Sequence, residues 1–190
     1  LAGFIVGIVE RDEIIDGRQI EPDDVVLALP SAGLHTNGYS LARKIFFDVA
    51  GLKHDAYVEE LGMTVGEALL RPHLSYLRAL EGLLEERIIK GLAHITGGGL
   101  PGNVPRILPA GTSVRIERGS WPVPAIFDLM QRLGGVTDDE MFRTFNMGIG
   151  MIVISAPEME SRIRAHLEAH GQECFAIGRV VEGERAVIIE

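Results

Sequence analysis

Three short glycine-containing segments each adjoin an apolar run, and this constrains the chain more than any other feature. The segments are Ser31-Ala32-Gly33-Leu34-His35-Thr36-Asn37-Gly38-Tyr39-Ser40, His94-Ile95-Thr96-Gly97-Gly98-Gly99 and Thr144-Phe145-Asn146-Met147-Gly148-Ile149-Gly150-Met151. Glycine supplies 23 of the 190 residues, well above the usual ~7%. Holding one in a fixed conformation costs roughly 1 kcal/mol of backbone entropy, so three in a row exceed what a turn needs.

The apolar runs beside these loops read as strands. Val25–Leu29 is a buried strand, followed by shorter ones at 91–95 and 112–117, then Met147–Ile154 and Ala186–Glu190. Residues 3–10 are also strand-like, from the first letters of the chain. Apolar residues at helical spacing mark four helices: Leu41, Ile45 and Val49; Leu77, Leu80, Leu84 and Ile88; Ile126, Leu129, Met130 and Leu133; and Met159, Ile163 and Leu167 after Pro157. A short helix is expected near Asn103–Leu108, and Thr137-Asp138-Asp139-Glu140 fits a capping box. Asp16-Gly17 and Glu182-Gly183 are hairpin signals. Roughly six or seven strands and five or six helices predict an α+β or mixed α/β chain, a mixed sheet covered by helices. Residues 1–190 form a single domain on this reading. A strand that starts without an initiator Met suggests that a further domain precedes it.

Acidic residues outnumber basic ones 27 to 18, a formal charge of −9, which disfavours nucleic acid and anionic membranes as partners. No apolar run reaches the roughly 18 residues of a membrane span, and no signal segment is visible. Cys174, the only cysteine, lies in the apolar run Cys174-Phe175-Ala176-Ile177 and reads as an inert buried thiol. These features place the chain in the cytoplasm.

In the first glycine loop, at a strand-to-helix junction, Ser31, Gly33, His35, Thr36, Asn37 and Ser40 are candidates to hold an anionic ligand. Glycine admits a ligand close to the backbone, and a helix start offers free N–H groups. The plainer reading is that Asn37 caps the helix. Thr96, Gly97, Gly98 and Gly99 form a second cradle for an anion, while His94 before them is either a core histidine or part of that site. Asn146 and Gly148 in the third loop line a ligand or mark a strand bulge. His166 and His170 read as solvated surface, Asp138 and Asp139 as a helix start, and His54 and His73 have no visible partner. Neither common nucleotide-binding glycine motif is present. Nor is a carboxylate constellation suited to Mg²⁺, so no metal site is expected in this chain.

Four ordered stretches together resemble the C-terminal domain of the aminoimidazole ribonucleotide synthetase family, also called phosphoribosylformylglycinamidine cyclo-ligase. They are Gly3–Gly17, Ser31–Leu41, His94–Gly99 and Glu140–Met151, and the resemblance spans nearly the whole chain. It implies an ATP- and Mg²⁺-dependent closure of formylglycinamidine ribonucleotide to aminoimidazole ribonucleotide in purine biosynthesis. ATP and Mg²⁺ would be held mainly by the family's N-terminal domain, and this lobe would hold the ribonucleotide, with His94 at the reacting end stabilising charge or moving a proton. It implies a homodimer for the full-length enzyme. The fragment alone would be inactive. Superfamily relatives keep other readings open: a lobe of formylglycinamidine ribonucleotide synthetase, selenophosphate synthetase or thiamine-phosphate kinase type, or a non-catalytic binding module.

Overall fold

A computed structural model describes residues 4–190. At its centre is a six-stranded sheet in the order β4-β6-β1-β7-β5-β8. Its strands are β1 (Val25–Pro30), β4 (Gly91–His94), β5 (Thr112–Ile116), β6 (Ile149–Ser155), β7 (Phe175–Glu182) and β8 (Val187–Ile189). A separate two-stranded ribbon joins β2 (Tyr57–Val58) to β3 (Met63–Thr64). All neighbours are antiparallel except β5 and β8. The expected mixed sheet covered by helices is the observed architecture.

Val25–Leu29 is continuously apolar because both faces of β1 are buried. Val25, Leu27 and Leu29 face α3 (Leu77–Glu85) and α7 (Glu160–Ala169), packing with Tyr76, Leu80, Leu83, Ile163 and Leu167. Val26 and Ala28 face the larger core on the other side. That core includes residues of α1 (Tyr39–Arg43), α2 (Val65–Leu69), α4 (Gly99–Asn103), α5 (Ala125–Gly134) and α6 (Asp138–Thr144).

Strand direction explains why the glycine loops meet. β1 and β4 are both antiparallel to β6, which lies between them, so they run the same way. The registers Pro30↔Ile149 and His94↔Met151 put the ends of β1 and β4 beside the start of β6. Residues 31–40, 94–99 and 144–148 therefore emerge at one end of the sheet.

The chain departs from its sequence pattern at several elements. Gly3 lies outside the described residues, but residues 4–10 form no strand, and Phe4, Ile5, Val6 and Ile8 are almost wholly exposed. Asp16-Gly17 opens no hairpin; Ile20 N–H bonds Gly17 O in a lone turn. The Glu182-Gly183 hairpin is also absent. Residues 183–186 step past the start of β5, with Gly183 N–H on Gly111 O and Arg185 N–H on Thr112 O. β8 then pairs in parallel with β5, not with β7.

Helix faces shift too. After α1 the chain widens into a π turn, Lys44–Val49, with Ala50 N–H bonded to Ile45 O. The extra residue per turn rotates the inward face to Ala42, Ile45 and Phe46, leaving Val49 exposed. In α3 the inward residues are Ala79, Leu80 and Leu83, and Leu77 is exposed. The helix expected at Asn103–Leu108 is instead α4 followed by a 3-10 turn, Val104–Ile107. Thr137 Oγ1 accepts from Glu140 N–H, but the Glu140 carboxylate takes the Thr144 hydroxyl, so only half the box forms. The reciprocal box is at Thr64 and Glu67, starting α2. His166 is no solvated surface group; it packs on Gly82 of α3, and its Nε2 is buried without a partner.

Candidate functional site

The inner layer of the site is a brace. Ser31 Oγ lies 2.9 Å from both Gly33 O and Asn146 Oδ1, so its single proton faces two acceptors. Asn146 Nδ2 donates to Gly33 O at 2.8 Å, and Gly148 N–H donates to Asn146 Oδ1 at 2.8 Å. Ser31 N–H closes the ring on Gly148 O. These atoms are buried and engaged with one another, so Ser31, Asn146 and Gly148 fix the first loop to the third.

Asn103 staples the second loop in the same way. Its Nδ2 donates to Gly99 O at 2.8 Å and reaches Thr96 O and Gly97 O, while Thr96 Oγ1 donates to its Oδ1 at 3.0 Å. The three glycines have different reasons. At Gly99, with φ +57°, a Cβ would lie 1.8 Å from Phe142 O, so packing alone demands glycine. Gly98 adopts a left-handed conformation as well. Gly97 is exposed and open, its nearest neighbour across the gap being Asn37 Oδ1. Because α4 has only five residues, the expected helix-dipole cradle is small.

The outer layer faces solvent. Thr36 and Ser40 are exposed and Asn37 is half-buried. Gly38, not Asn37, precedes α1, and no side chain caps that helix. The capping explanation for Asn37 therefore fails, and its amide points toward the second loop.

Between the loops stand three histidines. His35 is 3% exposed, in a left-handed backbone conformation (φ +56°) that is uncommon outside glycine. Ala32 N–H donates to its Nε2 at 3.2 Å, and its Nδ1 is buried without a partner. His73 stacks on His35 with ring centroids 3.9 Å apart. His73 Nδ1 is 3.3 Å from Thr36 Oγ1, and its Nε2 is 3.0 Å from His94 Nε2. Burial first, then the neighbouring imidazoles of His73 and His94, lower the His35 pKa to about 4. Partial desolvation, then His73, also push His94 down. His94 is exposed, which removes the core-histidine reading.

Three participants escape the sequence. His73, Tyr76 and Arg71 all come from the α2–α3 connection and have no local motif. Tyr76 is buried beneath the histidines and donates to Pro30 O at 2.8 Å. Burial holds its phenol well above the usual range. Arg71 reaches Ala32 O and brings a cation to the first loop. Among the described residues, the histidine trio is the group of three or more side chains able to gather around a metal ion. No sequence spacing announced it. Cys174 is half-buried, and burial raises its thiol to about 11, as an unreactive cysteine requires.

A helix-covered mixed sheet with three glycine loops gathered at one strand end defines an AIR synthase-like fold. A solved structure of thiamine-monophosphate kinase from Stenotrophomonas maltophilia shares it, with TM-score 0.63 over 96% of this chain and 54% of that one, at 14% identity. The likeness at that identity is one of fold. The family model for "AIR synthase related protein, C-terminal domain" matches residues 21–190, and the chain belongs to that family. Phosphoribosylformylglycinamidine cyclo-ligase of Caldanaerobacter subterraneus subsp. tengcongensis is 51% identical over 189 residues, covering 100% of this chain and 56% of that protein. The protein of the same name from Desulfitobacterium hafniense is 52% identical over 180 residues, 95% of this chain and 52% of the relative. The chain thus spans about half the length of the curated relatives it matches.

Proposed function

We propose that this chain is the substrate-holding half of an ATP-dependent cyclo-ligase. The reaction closes formylglycinamidine ribonucleotide into the imidazole ring of aminoimidazole ribonucleotide, with release of ADP and phosphate, in purine biosynthesis. The observation that carries this reading is the 51% identity along the whole chain to a protein named for the reaction.

Thr36, Asn37, Ser40 and the Gly97 backbone offer neutral hydrogen-bonding groups to ribose and phosphate, and Arg71 adds positive charge. Ser31, Gly33, Thr96, Gly98, Gly99, Asn146 and Gly148 hold these groups in place. His94, whose pKa is lowered by partial desolvation and by His73, takes up the proton that leaves the attacking amidine nitrogen as the ring closes. His73 Nε2, 3.0 Å from His94 Nε2, orients the His94 ring for that transfer.

ATP supplies the phosphoryl group that makes the formamide oxygen a leaving group. No cluster of carboxylates suited to Mg²⁺, which prefers oxygen ligands, occurs among the described residues. ATP and Mg²⁺ belong to the rest of the protein on this reading. The same region covers the apolar side chains of Phe4, Ile5, Val6 and Ile8, which the present fold leaves in water. A cytoplasmic homodimer completes the proposal. Among the described residues no helix is long and apolar enough to cross a membrane.

The test is an assay of the complete protein with formylglycinamidine ribonucleotide, ATP and Mg²⁺. Aminoimidazole ribonucleotide should form, and His94→Ala should lower kcat by at least about tenfold, near 1.4 kcal/mol. A folded complete protein that makes no product would refute the assignment.

A further inference from the structure

His73 Nε2 and His94 Nε2 stand 3.0 Å apart. Two imidazole nitrogens that close oppose their lone pairs unless something positive lies between them. One shared proton is sufficient. A divalent ion is another solution: metal–nitrogen bonds of about 2.0–2.1 Å in a tetrahedral arrangement place the nitrogens roughly 3.3 Å apart. The pair needs to open by only a few tenths of an ångström.

A third nitrogen is at hand. One nitrogen from each of His35, His73 and His94 lies within 4.8 Å of the other two. His35 Nδ1 is buried and has no hydrogen-bond partner. Its other nitrogen is occupied only by the Ala32 N–H at 3.2 Å, a contact near the long limit. His73 and His94 reach solvent, so an ion has an entry path and a coordination position is left open toward the cleft.

We propose that His35, His73 and His94 form a binding site for a borderline divalent transition ion such as Zn²⁺ or Co²⁺, with three imidazole ligands and one open position. Imidazole selects such ions over Mg²⁺ and Ca²⁺, which take oxygen ligands. Binding replaces the proton between His73 and His94. It also turns His35 to the tautomer that gives Nδ1 to the ion, at the cost of the Ala32 contact. The His73 ring, now 21° from parallel with that of His35, must tilt to bring its lone pair round. It can do so because residues 71–76 connect α2 to α3 without regular secondary structure. The ion occupies the same cleft as the proposed ribonucleotide, so Zn²⁺ should compete with substrate.

Metal-free protein is titrated with Co²⁺ in the presence of excess Mg²⁺ and followed by visible absorption. One equivalent should produce the intense band of a four-coordinate ion held by three nitrogens and a water, and Zn²⁺ should abolish it. His73→Ala and His94→Ala alter solvent-facing side chains and should leave thermal unfolding near wild type. Each should weaken Co²⁺ binding by at least about tenfold, the loss that even an outer partner of a metal ligand can cause. Absence of the band, or a band that His73→Ala leaves unchanged, would overturn the site. These readouts need no turnover. A metal site without ligase activity would count against the functional reading alone, and activity without the band against the metal site alone.

Discussion

Tyr76 Oη occupies the space that a side chain at Gly150 would need: a Cβ added there would lie 1.8 Å from the phenol oxygen and 2.8 Å from His35 Cε1. A backbone position on β6 thus lets a tyrosine from the edge of α3 and a histidine from the first loop share one small space. Gly150→Ala should destabilise the protein by about 1–3 kcal/mol, the usual cost of overpacking, and should displace His35. Tyr76→Phe, which loses the bond to Pro30 O, should cost about 1 kcal/mol alone. Removing the phenol oxygen relieves part of the Gly150→Ala clash. The double variant should therefore be more stable than the sum of the two effects implies, as read from urea unfolding of all four proteins. Strict additivity would show that the space is not shared.

The buried His35 makes acid stability measurable. Its pKa is about 4 in the folded protein against about 6.5 unfolded, so between those values the unfolded chain binds the extra proton. Its contribution is complete above pH 6.5 and is lost as pH falls through 4. The loss should be on the order of 3 kcal/mol. His35→Gln, which cannot take up the proton, should flatten the stability profile in that window. An unchanged slope would mean that His35 titrates normally.

The triple glycine should divide by function. Gly99→Ala drives a methyl group into the Phe142 carbonyl in a left-handed conformation, so it should unfold the protein or cost more than about 3 kcal/mol. Gly97→Ala faces open space beside Asn37 and should stay within about 1 kcal/mol of wild type. If Gly97 backs a ribonucleotide, that variant should weaken ribonucleotide binding in calorimetry while its melting temperature holds. Equal effects of the two substitutions on melting would remove the distinction.

Residues 1–190 by themselves should show no cyclo-ligase turnover and little affinity for ATP, though weak binding of the ribonucleotide should persist. Phosphoryl transfer needs a metal clamp and a nucleotide site, and this chain's loops supply hydroxyls, amides and imidazoles. Calorimetric titration with ATP, alongside a turnover assay, checks this; micromolar ATP binding would place the nucleotide here.

Much of the fold was legible where the signal is local. Val25–Leu29 and Ile152–Ile154 read as strands because burial on both faces leaves no polar alternation to confuse them. The glycine loops stood out because Gly99 and Gly150 have no room for a side chain. The failures share a cause in contacts made far along the chain. Glu182-Gly183 looks like a hairpin turn, but nothing nearby shows that the chain will step past β5 and that β8 will pair with β5 and not with β7. The π turn at Lys44–Val49 rotates a helix face without any glycine or proline to announce it. His73 belongs to the site through a stack on His35 and a bond to His94, and no spacing in the sequence encodes either.

β6 lies between β1 and β4, and the Ser31–Asn146 bond joins residues 115 apart in sequence. The cleft therefore does not exist until the last of its three loops has been delivered by a strand added from late in the chain. A chain stalled before β6 inserts would hold His35 and His94 at ends of two strands with a gap between them. Ribonucleotide affinity should then emerge in one step with native structure during refolding, which makes ligand capture a direct gauge of how much of a preparation has finished folding.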